Sequence, residues 1–434
     1  MDGYPVVVVG AGPVGLAAAA HALERGLDPL VIEAGSEAGA SVREWGHVRL
    51  FSRWAELIDP AAARLLAERG WREPEPDAYP TGADWAEQYL SPLAAALGER
   101  VRFGARVVGV ARRGRDRVID AGREAEPLTA HVETATGQER ITARAVIDAS
   151  GTWASPNPLG GDGLPADGER AARDRISYQA PDLSDPRARS RYAGKRIAVV
   201  GSGHSALTAL VGFAELAEQE PGTEVVWVLR REVGDHVFGG GEADQLPARG
   251  ALGLRAERAV EAGHVRTLAG FRTATAQADA DDRLVLESFE GTKSVPVDEV
   301  VALTGFRPEL SWLSEIRLEL DPVLQAPVRL APLIDPNVHS CGTVYPHGAA
   351  ELAHPEDGVF LVGMKSYGRA PTFLAMTGYE QVRSVTAAIA GDAEAAERVE
   401  LHLPETGVCG GAGLFDEPAA EQDGGCCGAP GAER

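Results

Sequence analysis

The sequence predicts an α/β fold in which two βαβ units, each followed by a small antiparallel meander, build two domains. Three observations carry this. Residues 6 to 35, VVVVGAGPVGLAAAAHALERGLDPLVIEAG, run from an apolar strand through a glycine turn into an apolar helix and on to a second strand. Residues 196 to 231, RIAVVGSGHSALTALVGFAELAEQEPGTEVVWVLRR, repeat that order. After each unit come short alternating runs that close on a glycine-bearing return, DASGT in the first half and ALTGF in the second. Strand, glycine turn and helix in this order seat a pyrophosphate on a helix N-terminus. The chain therefore reads as an internal duplication: two Rossmann-like dinucleotide-binding domains of ββα three-layer architecture. Two such sites imply electron transfer between a flavin and a nicotinamide.

Along the chain, the first unit leads into the tryptophan-bearing stretch SVREWGHVRLFSRWAELIDP and helical segments near Trp85 to Leu97, which should cover a flavin ring. Strands are predicted over Val101 to Val110, Leu128 to Val132 and Ile141 to Ile147, with a turn at Thr136–Gly137. In the second half they fall near His264 to Thr275, Leu284 to Phe289 and Lys293 to Val297. An amphipathic helix follows from Pro371 to Ala390. This order predicts an FAD domain from residues 1–160 and 295–398, with an NADPH domain of residues 190–294 inserted in it. Residues 400–434 are glycine-rich, acidic and nearly free of large apolar groups, so they predict a flexible tail.

At 434 residues the chain exceeds what one hydrophobic core organises. A net charge of −22 without any basic stripe excludes a nucleic acid partner. The first strand begins by Val6, which leaves no room for a signal peptide, and no apolar run is long enough to cross a bilayer. A cytoplasmic enzyme with a small-molecule substrate and no membrane partner is expected, and a homodimer is compatible with the sequence. The four cysteines, Cys341, Cys409, Cys426 and Cys427, are too few and too skewed to the C-terminus for a disulfide framework.

In the first turn, Gly10 should make the tight bend, Gly12 should let backbone approach the pyrophosphate, and Gly15 should let helix and strand pack closely. Glu33, 18 residues past Gly15, would accept hydrogen bonds from ribose hydroxyls and repel a 2′-phosphate, which suits FAD. Gly201 and Gly203 repeat the first two roles, and Ala206 takes the packing position. Arg230 and Arg231 stand where the first copy has Glu33; they either pair with a 2′-phosphate, favouring NADPH, or form a solvated strand end. His204 lies inside the second turn and either touches phosphates or caps the helix.

Asp148, Ser150 and Gly151 close the first meander and either contact FAD or make a plain turn. Gly363, Lys365 and Arg369 precede the last helix; the two cations either stabilise reduced flavin or its phosphates, or are exposed loop charges. His339, Cys341, His347 and His354 lie within 16 residues, yet no zinc spacing is present. Cys341 is a candidate redox thiol or a buried small hydrophobe. Cys409, Cys426 and Cys427 could wrap a thiophilic metalloid or belong to an inert tail.

These motifs resemble the thioredoxin reductase and flavin-containing monooxygenase superfamily over residues 5 to 395. EWGHVRLFS, DASGTWASPNP and GKRIAVVGSGHSA are similar to the monooxygenase side. HSCGTV, PHGAAEL, GMKSYGRAPTFLAMTGYEQVRS, LPETGVC and the terminal cysteine pair resemble flavoproteins of bacterial arsenic-resistance clusters. That resemblance implies an FAD-dependent, NADPH-using monooxygenase acting on a soft nucleophile such as an arsenical. Alternatives are a reductase relaying electrons through Cys341 or Cys426 and Cys427, and a metalloid-binding, redox-sensing flavoprotein. The CxxC and CxxxxC dithiols of disulfide-reducing relatives are absent, as is the monooxygenase fingerprint ahead of the second turn, and Gly363–Met364 replaces the Gly-Asp that holds the ribityl chain in relatives.

Overall fold

A computed structural model describes residues 3–232, 234, 237–244, 246–338, 346–371 and 373–401. Strand β1 (Val6–Val9) is four valines, all buried, as a central parallel strand covered on both faces requires. The glycine turn feeds α1 (Pro13–Glu24), whose proline sits in the first turn and whose Ala17–Ala20 run is buried all round, between the sheet and neighbouring helices. The chain continues through β2 (Pro29–Ile32), β3 (Val101–Arg102), β4 (Ala105–Arg112), β5 (Leu128–Thr134), β6 (Gly137–Ala143) and β7 (Ala145–Asp148). The second half runs β8 (Ile176–Ser177), β9 (Arg196–Val200), α2 (His204–Gln219), β10 (Glu224–Val228), α3 (Pro247–Glu261) and β11 (Val265–Leu268). It ends with β12 (Thr273–Ala278), β13 (Leu284–Ser288), β14 (Ser294–Val297), β15 (Glu299–Ala302), β16 (Val359–Leu361) and α4 (Ala375–Ala390).

Two five-stranded parallel sheets result, ordered β16, β7, β1, β2, β3 and β11, β10, β9, β15, β8. Two three-stranded antiparallel meanders, β4 to β6 and β12 to β14, complete the fold. Each meander packs on the sheet face opposite the helices. Val7, Val9 and Ile32 meet Val107, Val110 and Val132 in the first half, and Val200, Val226 and Val228 meet Ala276, Leu284 and Leu286 in the second. The predicted ββα three-layer architecture is thus present twice.

Three expected strands are each split in two. Val101 to Val110 breaks at Gly104, φ +63°, and His264 to Thr275 breaks at Gly270, φ +58°; Ile141 to Ile147 parts at Arg144. In every case one piece joins the parallel sheet and the other the meander. The boundary of the second unit also moves. Residues 295–302, expected with the first unit, belong to the second, because β15 pairs in parallel with β9 just as β7 pairs with β1. Likewise β8, ahead of the expected start at 190, is the edge strand of the second sheet. Helix α4 begins at Ala375 rather than Pro371, since Phe373 is anchored edge-on to Tyr367 at 4.9 Å and keeps the approach non-helical.

Candidate functional site

At the end of β1 the chain bends at Gly10, φ +103°, and a Cβ there would lie 2.8 Å from the Ala149 carbonyl oxygen. A Cβ on Gly15 would lie 1.9 Å from the Gly10 carbonyl oxygen, so at this helix–strand distance position 15 must be glycine. Gly12, the N-cap of α1, faces open space, the cradle a pyrophosphate needs. Glu33 closes the turn from below: Oε2 accepts from the Ala11 N–H at 2.7 Å and Oε1 from the Gly35 N–H at 2.6 Å. Each oxygen keeps a further acceptor site for a ribose hydroxyl.

The return strand delivers a buried charge cluster. Asp148 is fully buried, and its Oδ1 accepts from the Ser150 N–H at 3.1 Å and hydroxyl at 2.6 Å. Its Oδ2 stands 2.7 Å from Lys365 Nζ, which also donates to the Ser150 hydroxyl at 2.9 Å. Lys365 is 1% exposed and lies 5.0 Å from the Trp312 ring centroid. The turn carrying it is fixed from beneath: the Gly363 N–H donates to Gln381 Oε1 at 2.7 Å, and Gln381 Nε2 donates to the Ser366 hydroxyl at 2.9 Å. Gln381 Nε2 also lies 2.8 Å from His347 Nε2. Arg369 does not join this group; it is exposed, and its Nε donates to Gln325 Oε1 at 2.9 Å.

The second turn repeats the geometry. A Cβ on Gly201, φ +129°, would lie 2.3 Å from the Leu303 carbonyl oxygen, Gly203 caps α2 facing open space, and Ala206 is fully buried at the packing position. Arg230 is exposed and Arg231 half-buried beyond the end of β10. His204 faces the cleft, its ring meets Phe51 edge-on at 5.2 Å, and burial, then the Arg249 charge, lowers its pKa to about 4. Asp244 pairs with Arg249 at 2.7 Å. Burial alone would raise the Asp244 carboxyl, but hydrogen bonds from Arg249 and the Leu246 N–H hold it below its ordinary value.

Gly12, Glu33, Ser150, Gly151, Gly363 and Lys365 line a single cleft of about 1080 Å³, and His204 and Arg249 reach it from the second half. That volume lies just above the range of roughly 300–1,000 Å³ for small-ligand pockets. The model of the pyridine nucleotide-disulphide oxidoreductase family matches residues 7–328. The chain belongs to this family. As a pyridine nucleotide-disulphide oxidoreductase family member it is an oxidoreductase, with FAD and NADPH as its cofactors.

It is 32% identical over 203 residues to an indole-3-pyruvate monooxygenase from Oryza sativa subsp. japonica, covering 46% of this chain. The match spans only 43% of the rice protein's length. A ferredoxin–NADP reductase from Cupriavidus necator is 27% identical over 308 residues, 70% of this chain and 71% of that protein. The solved bacillithiol disulfide reductase of Bacillus cereus superposes with a TM-score of 0.64 at 19% identity, over 89% of this chain and 99% of that one. That likeness shows the two-dinucleotide-domain fold.

Several cleft residues of this oxidoreductase escape sequence reasoning. Glu44 Oε2 accepts from Trp153 Nε1 at 2.8 Å and Gln179 Nε2 at 3.0 Å, tying the first unit to the strand-connecting segment. Trp153 stacks on Phe306 at 4.9 Å. The tryptophans were visible in the sequence, but their partners lie more than a hundred residues away. Cys341, Cys409, Cys426, Cys427 and His339 lie outside the described residues. His347 and His354 do not come together as ligands, and among the described residues no cluster of three or more metal-binding side chains occurs. His354 Nδ1 accepts from the Glu319 N–H at 3.3 Å, and burial lowers its pKa to about 4. Among the described residues no helix is long and apolar enough to cross a membrane.

Proposed function

We propose that this protein is an NADPH-dependent FAD monooxygenase whose acceptor is a soft nucleophile, a trivalent arsenical being the favoured class. The observation that carries this reading is the single cleft into which both halves project, walled by aromatic rings and closed at one end by the buried Lys365–Asp148 pair. When bound, the cofactor pair supplies hydride transfer and the two-electron reduction of dioxygen. The backbone at Gly12 and Gly203 would hold the two pyrophosphates, with Glu33 on a ribose and Arg230 and Arg231 on a 2′-phosphate. Lys365 Nζ holds positive charge at the cleft wall, oriented by Asp148 and Ser150, and stabilises negative charge that develops beside it. Trp45, Trp85, Trp153, Phe306 and Phe373 exclude water around the reacting centre. In the overall balance, hydride, a proton and one oxygen atom leave as water, while the other oxygen atom bonds to the acceptor's lone pair.

The absence of both family dithiol motifs from the sequence supports oxygen over disulfide as electron acceptor. Turnover with NADPH, phenylarsenous acid and isotopically heavy dioxygen tests this. A phenylarsonate carrying one heavy oxygen atom is the expected product. NADPH oxidation yielding only hydrogen peroxide, across arsenicals, sulfides and amines, would overturn the reading. A thiol relay remains the competitor because Cys426–Cys427 resembles the vicinal thiols of mercuric reductase; turnover that persists after serine replaces Cys341, Cys426 and Cys427 excludes it.

A further inference from the structure

A second cavity, of about 490 Å³, opens beside the cleft, and Pro156 and Tyr178 line both. Arg170, Arg173 and Arg307 line it as well. Among the described residues Arg307 is held by neutral oxygens: Nε donates to Asn157 Oδ1 at 2.7 Å and Nη2 to the Gly163 carbonyl at 3.1 Å. Burial, then the nearby Arg369 charge, lowers its pKa, as fits a cation short of counter-charge. Arg170 is exposed, and among the described residues Arg173 pairs only with Asp174, 3.7 Å away with both side chains on the surface. Glu169 is the one carboxylate among the lining residues, and it is already engaged. It is 3% exposed, and its oxygens accept from the Leu159 N–H at 3.0 Å, the Ala166 N–H at 2.6 Å and the Tyr178 hydroxyl.

The cavity thus concentrates three guanidinium groups without free carboxylates among its lining residues, in a protein whose net charge is −22. It is also distinct from the place expected for a 2′-phosphate. Tyr178 follows β8, the edge strand beyond β15, whereas Arg230 and Arg231 follow β10 on the other side of β9.

We propose that this cavity is an oxyanion subsite, which anchors the charged head of the acceptor substrate while its body passes Tyr178 into the cleft. The head would be a carboxylate or phosphonate that the acceptor carries apart from its reacting trivalent centre, groups that the planar fork of arginine pairs with in bidentate fashion. The assignment of its occupant as acceptor substrate rests on the oxygenating function proposed above; the anion site itself does not.

Phenylphosphonate separates the two, because its phosphorus is already pentavalent and cannot accept oxygen. Calorimetric titration of the full-length, FAD-loaded protein at 0.15 M ionic strength, where charges beyond about 8 Å are screened, should show single-site binding. R170E/R173E, two changes at exposed positions, should weaken that binding at least tenfold while NADPH affinity stays unchanged. The cavity is not an anion subsite if no binding is seen, if R170E/R173E binds as well as the parent, or if R231E rather than R170E/R173E abolishes binding. If phenylphosphonate binds as predicted but no oxygenated product forms from any arsenical, the proposed function fails and the subsite stands.

Discussion

The two glycine turns share a backbone and differ in what secures their surroundings. In both, a Cβ on the first glycine would lie within 3 Å of the carbonyl just past the return strand, and the second glycine opens onto free space at a helix N-terminus. Around the first turn, however, the polar groups are locked into the fold: Glu33 is held by two backbone N–H groups, and Asp148 by Lys365 and Ser150. Around the second, the corresponding return offers Leu303 and Thr304, and the strand end offers an exposed Arg230. The two copies share the cradle, while the first has a buried polar frame and the second an exposed arginine at its strand end. On the proposed function, this contrast predicts a tightly retained cofactor at the first site and an exchanging one at the second.

The contrast breaks most visibly at Lys365. Lys365→Met strands the fully buried Asp148 carboxylate, so a loss of about 3–5 kcal/mol and release of FAD are expected. Denaturant unfolding and flavin absorbance after gel filtration check this, and D148N/K365M should recover most of the stability. A fold as stable as the parent would show that the frame is not structural. The next largest effect is the exchange of packing residues. Gly15→Ala places a Cβ 1.9 Å from the Gly10 oxygen and should cost about 1–3 kcal/mol, measured by thermal unfolding. Ala206→Gly, at the equivalent place in the second copy, should cost about 1 kcal/mol, from helix propensity alone.

Reversing the basic rim sharpens the comparison from the other side. R230E/R231E should lower kcat/KM for NADPH on the order of 100-fold and leave NADH nearly unaffected, because like charges then face the 2′-phosphate. The smallest effect is on pH dependence. His204 and His354 have folded-state pKa values of about 4, below an unfolded value of about 6.5, so the unfolded chain binds more protons between those limits. Stability should therefore fall as pH drops from about 6.5 to 4, by at most about 1.4 kcal/mol per pH unit for each histidine. Melting temperatures across that range should flatten in His354→Gln.

Both glycine turns were legible in the sequence because a turn, its helix start and its strand ends are set by neighbours in the chain. Glu33 and the arginine pair followed from the same local logic. The Lys365–Asp148 pair was not legible, since its members meet only when β16 and β7 come side by side. Lys365 and Arg369 looked alike as loop cations, yet one is buried against Trp312 and the other is exposed beside Gln325. Strand splitting at Gly104 and Gly270 was missed because alternation continues through the bend while the partner strand changes. The Arg170, Arg173 and Arg307 cavity combines residues from two distant segments, and no spacing rule joins them.

On the proposed function, electrons pass from NADPH through the flavin to oxygen, without a thiol station between. An anaerobic titration of the FAD-loaded protein with NADPH tests this most directly, by counting the equivalents needed to bleach the flavin completely. One equivalent per flavin is the predicted result. Two equivalents would mean that a disulfide shares the electrons, which would contradict the account and make the cysteines of this chain part of its redox machinery.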